Sequence, residues 1–196
     1  MKKKEVALAI FLLTGLTLQA QERVTQYKVR SINPKGEKHS TKMLLKTPVV
    51  LDLPDAPLQS LTVDTAGYLT LDKADKNSKI YVLKTQIRAE RFLKGKLKVT
   101  SPVRWEVFID EVSKQTKDAA EDSISSASSR DIALTLEPER DYEITIKLLS
   151  TAEDKAAPTL KCEFIKDNKF KDIACTLDPN AKKRFSLDNT VYGNRV

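Results

Sequence analysis

The residues best able to do chemistry are Cys162, Cys175 and the single histidine, His39. The two cysteines sit in a patterned stretch. Leu160-Lys161-Cys162-Glu163-Phe164-Ile165 is followed by Lys166-Asp167-Asn168-Lys169 and then Phe170-Lys171-Asp172-Ile173-Ala174-Cys175. A hairpin turning at Asn168 and Lys169 would set the cysteines directly opposite each other. Cross-strand neighbours lie about 4.5–5.5 Å apart at Cα, within reach of a disulfide. The expectation is a Cys162–Cys175 bridge stabilising the fold by about 3 kcal/mol, with two separately buried thiols as the alternative. Two cysteines and a distant histidine lack the spacing of a metal site.

Nucleophilic catalysis finds no support. The chain has five glycines and no Gly-x-Ser-x-Gly elbow. His39 lies in a polar stretch between lysines, where nothing holds it as the base of a triad. The adjacent carboxylates Asp110-Glu111 and Glu121-Asp122 are outside any Asp-x-Asp-x-Asp-Gly calcium loop. The residues therefore predict no catalytic group, no cofactor and no metal.

Aromatic residues are the remaining source of recognition chemistry. Trp105 alternates in step with Val103, Val107 and Ile109 and is expected in the core. Phe108 points the other way and is a candidate contact for a ligand or partner, as are Asp110 at the strand end and Tyr192 near the C-terminus.

The elements that must position these residues have period two. Strands are predicted around Leu61–Val63 and Tyr68–Leu71, and over Ile80–Ile87, Phe92–Val99, Val103–Ile109, Ile132–Leu136 and Tyr142–Leu148. With the cystine hairpin these make about seven to nine short strands, an all-β antiparallel sandwich. Ser113–Arg130, rich in Ser, Asp and Ala, has no apolar stripe and reads as a surface insertion. Residues 21–59, punctuated by Pro34, Pro48, Pro54 and Pro57, read as an extended segment or linker, 60–180 as the sandwich, and 181–196 as a tail.

The N-terminus predicts an address. Lys2-Lys3-Lys4 precede an apolar run from Val6 to Leu18, and Leu18-Gln19-Ala20-Gln21 turns polar. This is the pattern of a signal peptide over residues 1–20, cleaved after Ala20. The run is shorter than the roughly 20 residues that span a bilayer. A periplasmic or secreted chain meets an oxidising compartment, which favours the bridge. Formal net charge is +7, but Lys and Arg are interspersed with Asp and Glu. The chain has no block of five basic residues and no basic stripe interleaved with aromatics, so nucleic acid is not an expected partner.

Strand Ile80–Ile87, then Leu93-Lys94-Gly95-Lys96-Leu97-Lys98-Val99, Trp105-Glu106-Val107-Phe108-Ile109-Asp110 and Leu136-Glu137-Pro138-Glu139-Arg140-Asp141-Tyr142 together resemble the galactose-binding-like jelly roll. Where that family commonly has Gly in its turns, this chain has Asp110-Glu111 and Pro138–Asp141. The tail, Arg184 to Val196, resembles the lead-in to the β-propeller of secreted prolyl oligopeptidase-type peptidases. This second resemblance implies a non-catalytic accessory domain whose partner is another protein domain, with an end at Val196 that need not be the end of the protein. The alternative is a stand-alone module binding carbohydrate or a cell surface.

Overall fold

The computed structural model describes residues 22–33 and 58–178. The predicted signal peptide, His39, the tail and Tyr192 lie outside them. The strands are β1 (Glu22–Arg23), β2 (Gln26–Ile32), β3 (Gln59–Thr62), β4 (Tyr68–Thr70), β5 (Lys79–Ala89), β6 (Leu93–Thr100), β7 (Arg104–Ile109), β8 (Val112–Lys117), β9 (Ser129–Leu136), β10 (Asp141–Ser150), β11 (Thr159–Lys166) and β12 (Cys175–Leu177). A single 3-10 turn, Asn168–Phe170, interrupts them.

Every pairing between these strands is antiparallel, and they form two sheets. One runs β1-β11-β6-β9, with β4 also on β11; the other runs β3-β2-β5-β10-β7-β8, with β12 also on β5. The predicted antiparallel β-sandwich is the observed architecture. Alternation explains it: a strand with apolar residues at every second position has one face to bury, and two such sheets bury their faces against each other. From the larger sheet come Tyr27, Leu83, Ile87, Trp105 and Val107. The smaller sheet supplies Leu93, Leu97, Leu136, Leu160 and Phe164. All belong to one buried cluster. Trp105, expected in the core, is fully buried.

Glu22–Ile32 contributes a strand to each sheet, β1 on β11 and β2 on β5. The predicted insertion is shorter than its composition suggests. Ser113–Lys117 belongs to β8, an edge strand that is exposed along most of its length and so carries no apolar signature. Only the connection from β8 to β9 remains, and it crosses from one sheet to the other. It is tied down: Lys117 Nζ donates to Ser101 O at 2.6 Å and to Glu121 Oε2 at 2.6 Å. Ser128 N donates back to the Glu121 carboxylate.

The hairpin expected around Asn168 is replaced. β11 lies in the smaller sheet between β6 and β1, whereas β12 pairs with β5 in the larger one. A two-residue hairpin turn of the favoured type needs φ > 0 at its central residues, and neither Asn168 nor Lys169 adopts it. Instead the chain makes successive turns, Phe170 N to Asp167 O and Ile173 N to Phe170 O. These seat Phe170 and Ile173 against the core. Cys162 and Cys175 consequently belong to opposite sheets, and both thiols are free.

Candidate functional site: a lysine-lined groove

The predicted contact residues are not brought together. Phe108 is half-buried on the outer face of the larger sheet, opposite Thr145 and Ser113, with Lys147 Nζ 5.6 Å above its ring. Lys147 is itself buried and pairs with Glu106 at 3.3 Å. Asp110 opens the two-residue turn between β7 and β8. Its φ is 47° and that of Glu111 is 65°. Its carboxylate accepts from Glu143 N at 2.9 Å and from Arg140 at 2.9 Å. These contacts make Asp110 an anchor for the turn. Glu121 is spent on Lys117 and Ser128, and Asp122 pairs with Lys155 at 2.8 Å. Among the described residues no three metal-ligating side chains converge.

The cysteines have internal roles. Cys162 is buried at β11, and burial first, then Glu163, pushes its thiol up to about 12 against the opposing influence of the neighbouring Tyr27 side chain. Cys175 Sγ donates to Glu22 Oε2. Burial, followed by the adjoining Glu22 carboxylate, raises its pKa further still. A thiol activated for nucleophilic attack has the opposite shift.

An open concavity lies on the smaller sheet. It is a groove of about 730 Å³, formed where β6, β9 and the end of β11 meet the turn after β11. In β6 every second residue is buried, so Lys94, Lys96 and Lys98 project from the outer face. Gly95 lies between the first two, facing inward. The Phe164 ring occupies the space where its side chain would be, as a Cβ there would lie 2.7 Å from Phe164 Cζ and 2.5 Å from Ile165 O. This close approach packs β6 tightly against β11 beneath the groove.

The turn builds the wall. Asp167 N donates to Lys94 O at 3.0 Å, continuing the β6 ladder past β11. Phe170 then comes edge-on to Phe92, with centroids 5.9 Å apart and planes at 65°. Phe92 is 38% exposed, and Lys94 Nζ stands 5.6 Å over its ring. Lys166 braces the wall from behind, because its Nζ donates to Glu22 Oε1 at 2.6 Å and to Ile173 O at 2.6 Å. The result is an open site that sets the ammonium groups of Lys94, Lys96 and Lys169 beside the carboxylates of Asp131 and Asp167 and an aromatic border. It can hold a polar ligand and has no group placed to react with one.

Sequence reasoning missed this site because it sought basic residues as a run along the chain. Lysines at 94, 96 and 98 are a stripe only on one face of a strand. The strand was predicted; its outward face was not read.

No protein-family model matches the sequence, and no curated protein matches it. Among solved structures, the PA14 sugar-binding domain from an RTX adhesin is similar at 10% identity and a TM-score of 0.48, over 79% of this chain and 96% of that one. A β-glucosidase from Kluyveromyces marxianus is similar at 12% identity and a TM-score of 0.48, over 74% of this chain, which spans only 17% of the enzyme. A family 35 carbohydrate-binding module from an environmental isolate aligns at 12% identity and a TM-score of 0.32, over 61% of this chain and 82% of that one. At these scores the likenesses carry no ligand or activity over to this chain.

Proposed function

We propose that this chain is an exported, non-catalytic β-sandwich module that binds carbohydrate through the groove between β6, β9 and the turn after β11. The carrying observation is the groove itself. It is open, it mixes ammonium groups with the Phe170–Phe92 edge, and it sits on a sheet face braced by the core. Sugars present hydroxyls and apolar C–H faces together, and a site joining polar donors to an aromatic edge suits both. The Lys2–Ala20 pattern supports the exported reading, and a polysaccharide outside the cell is a ligand such an address would meet. The alternative of docking beside a propeller peptidase has no surface feature of its own among the described residues.

The test is binding of the full chain to a panel of soluble and insoluble polysaccharides. Retention by at least one polysaccharide is expected, with loss on Phe170→Ala. Ala133→Trp, at an exposed position opposite Lys96, should also block binding while leaving the unfolding midpoint near that of the parent. A chain retained by no polysaccharide would sink the proposal. Cleavage after Ala20 is read from the N-terminal mass of the secreted chain.

A further inference from the structure

Resting on that reading of the groove, we infer that its ligand is an acidic polysaccharide, a polymer carrying carboxylate or sulfate groups. The warrant is how charge is distributed along β6. Alternate residues of a strand lie about 6.6 Å apart, so Lys94, Lys96 and Lys98 form a regular row. Their neighbours differ. Lys98 lies opposite Asp131 on β9 and Glu163 on β11, although Asp131 reaches Lys96 and Glu163 is held by Arg23 and Lys161. Lys96 lies between Ala133 and Ile165, and Lys94 opposite Thr135. Directly opposed carboxylate residues therefore end as β6 enters the groove.

Two carboxylates also line the groove, Asp131 and the exposed Asp167, against the ammoniums of Lys94, Lys96 and Lys169. Asp131 reaches Lys96 at 3.7 Å, with both side chains about half exposed. Such a surface pair contributes little and exchanges readily for another anion. Lys169 adds an exposed ammonium from the turn, and among the described residues neither it nor Lys94 forms an ion pair. Lys166 differs: its Nζ is almost fully buried and held by Glu22, so it is structural. The groove thus offers Lys94, Lys96 and Lys169 to a ligand beside the apolar Ile165 and Phe170, and low-dielectric walls focus such a field. Lysine ammoniums on flexible stems are point charges suited to repeated anionic groups along a polymer. A neutral sugar would desolvate the same ammoniums without neutralising any of them.

The experiment measures affinity electrophoresis of the full chain in polygalacturonate, methyl-esterified polygalacturonate, dextran sulfate, dextran and duplex DNA, at about 50 mM and about 500 mM salt. Retardation by polygalacturonate or dextran sulfate is expected, with the responsive polymer telling carboxylate from sulfate. The ester and dextran should have little effect, and high salt should abolish retardation. The double variant Lys94→Ser/Lys169→Ser should weaken binding about tenfold; Lys114→Ser on β8 should not. Equal binding of acid and ester overturns the charge inference and leaves carbohydrate binding standing. Retardation by no polysaccharide overturns both. Binding to DNA as tight as to the acidic polysaccharides, or acidic binding indifferent to Lys94→Ser/Lys169→Ser, overturns the inference as unspecific attraction or another site.

Discussion

Phe164 is packed onto Gly95, one strand across. A methyl group at Gly95 would stand 2.7 Å from the ring and 2.5 Å from the Ile165 carbonyl. The carbonyl belongs to a backbone fixed by the β6–β11 ladder, so it cannot swing aside as a side-chain tip would. Gly95→Ala is therefore expected to cost about 1–3 kcal/mol, the usual range for overpacking a core. A fall in the urea midpoint at unchanged slope checks this. An unchanged midpoint would mean that the two strands do not approach so closely.

The turn between β7 and β8 invites the reverse change. Glu111 holds a left-handed conformation at φ 65°, which favours Gly over any residue with a Cβ. Its side chain is exposed, and the anchoring bonds to Arg140 and to Glu143 N come from Asp110. Glu111→Gly is expected to stabilise the fold by about 0.5–1 kcal/mol, the relief of strain being partly offset by the freedom Gly adds to the unfolded chain. Asp110→Gly should destabilise instead, since it removes an acceptor from two donors. Paired urea titrations separate the two, and a destabilised Glu111→Gly would refute the account of the turn.

These contrasts show what the sequence made legible. Inward positions could be read wherever alternation was strict, as for Val103, Trp105 and Val107, because burial leaves a periodic trace. The edge strand β8 is exposed along most of its length, so Ser113–Lys117 reads from sequence as part of the surface insertion. The pairing of β11 was misread for a different reason. A hairpin and a crossover between sheets share the same local alternation, and the choice was made by Phe170 and Ile173 packing on the core after the turn. The groove was hidden for a third reason: its lysines come from a strand face and a turn, and neither is a motif along the chain.

The crossover from β8 to β9 depends on Lys117 and Glu121. Burial works to raise the Glu121 carboxyl, but hydrogen bonds from Lys117 and Ser128 outweigh it and leave its pKa below the ordinary value. A carboxyl with a lower pKa folded than unfolded stabilises the fold above its unfolded pKa, about 4.3. That stabilisation is lost as pH falls through the lower folded value. Glu121→Gln should therefore be destabilised at neutral pH, and its difference from the parent should narrow as pH drops below about 4. Urea midpoints against pH measure it. Parallel curves for parent and variant would show that the carboxylate charge does not hold the crossover. Lys117 is nearly fully buried, so Lys117→Met, which removes the charge and keeps the bulk, should expose the connection to proteases without unfolding the sheets.

Cys162 and Cys175 give the last expectation, and it bears on the compartment as well as the fold. Held in opposite sheets, the thiols are not a cross-strand pair, and burial is the largest cause raising both pKa values. With Cys162 pushed up to about 12, little thiolate exists near neutral pH, and the thiolate is the reactive form. The native chain, purified without reductant, is expected to react slowly with a thiol reagent at about pH 8. The denatured chain should release two equivalents at once. Cys162→Ala should cost stability through the lost packing against Tyr27, whereas Cys175→Ser keeps a donor for Glu22 and should cost less. Failure to find two thiols after denaturation without reductant would mean that the cysteines are bridged, and that β11 and β12 approach more closely than their separate sheets imply.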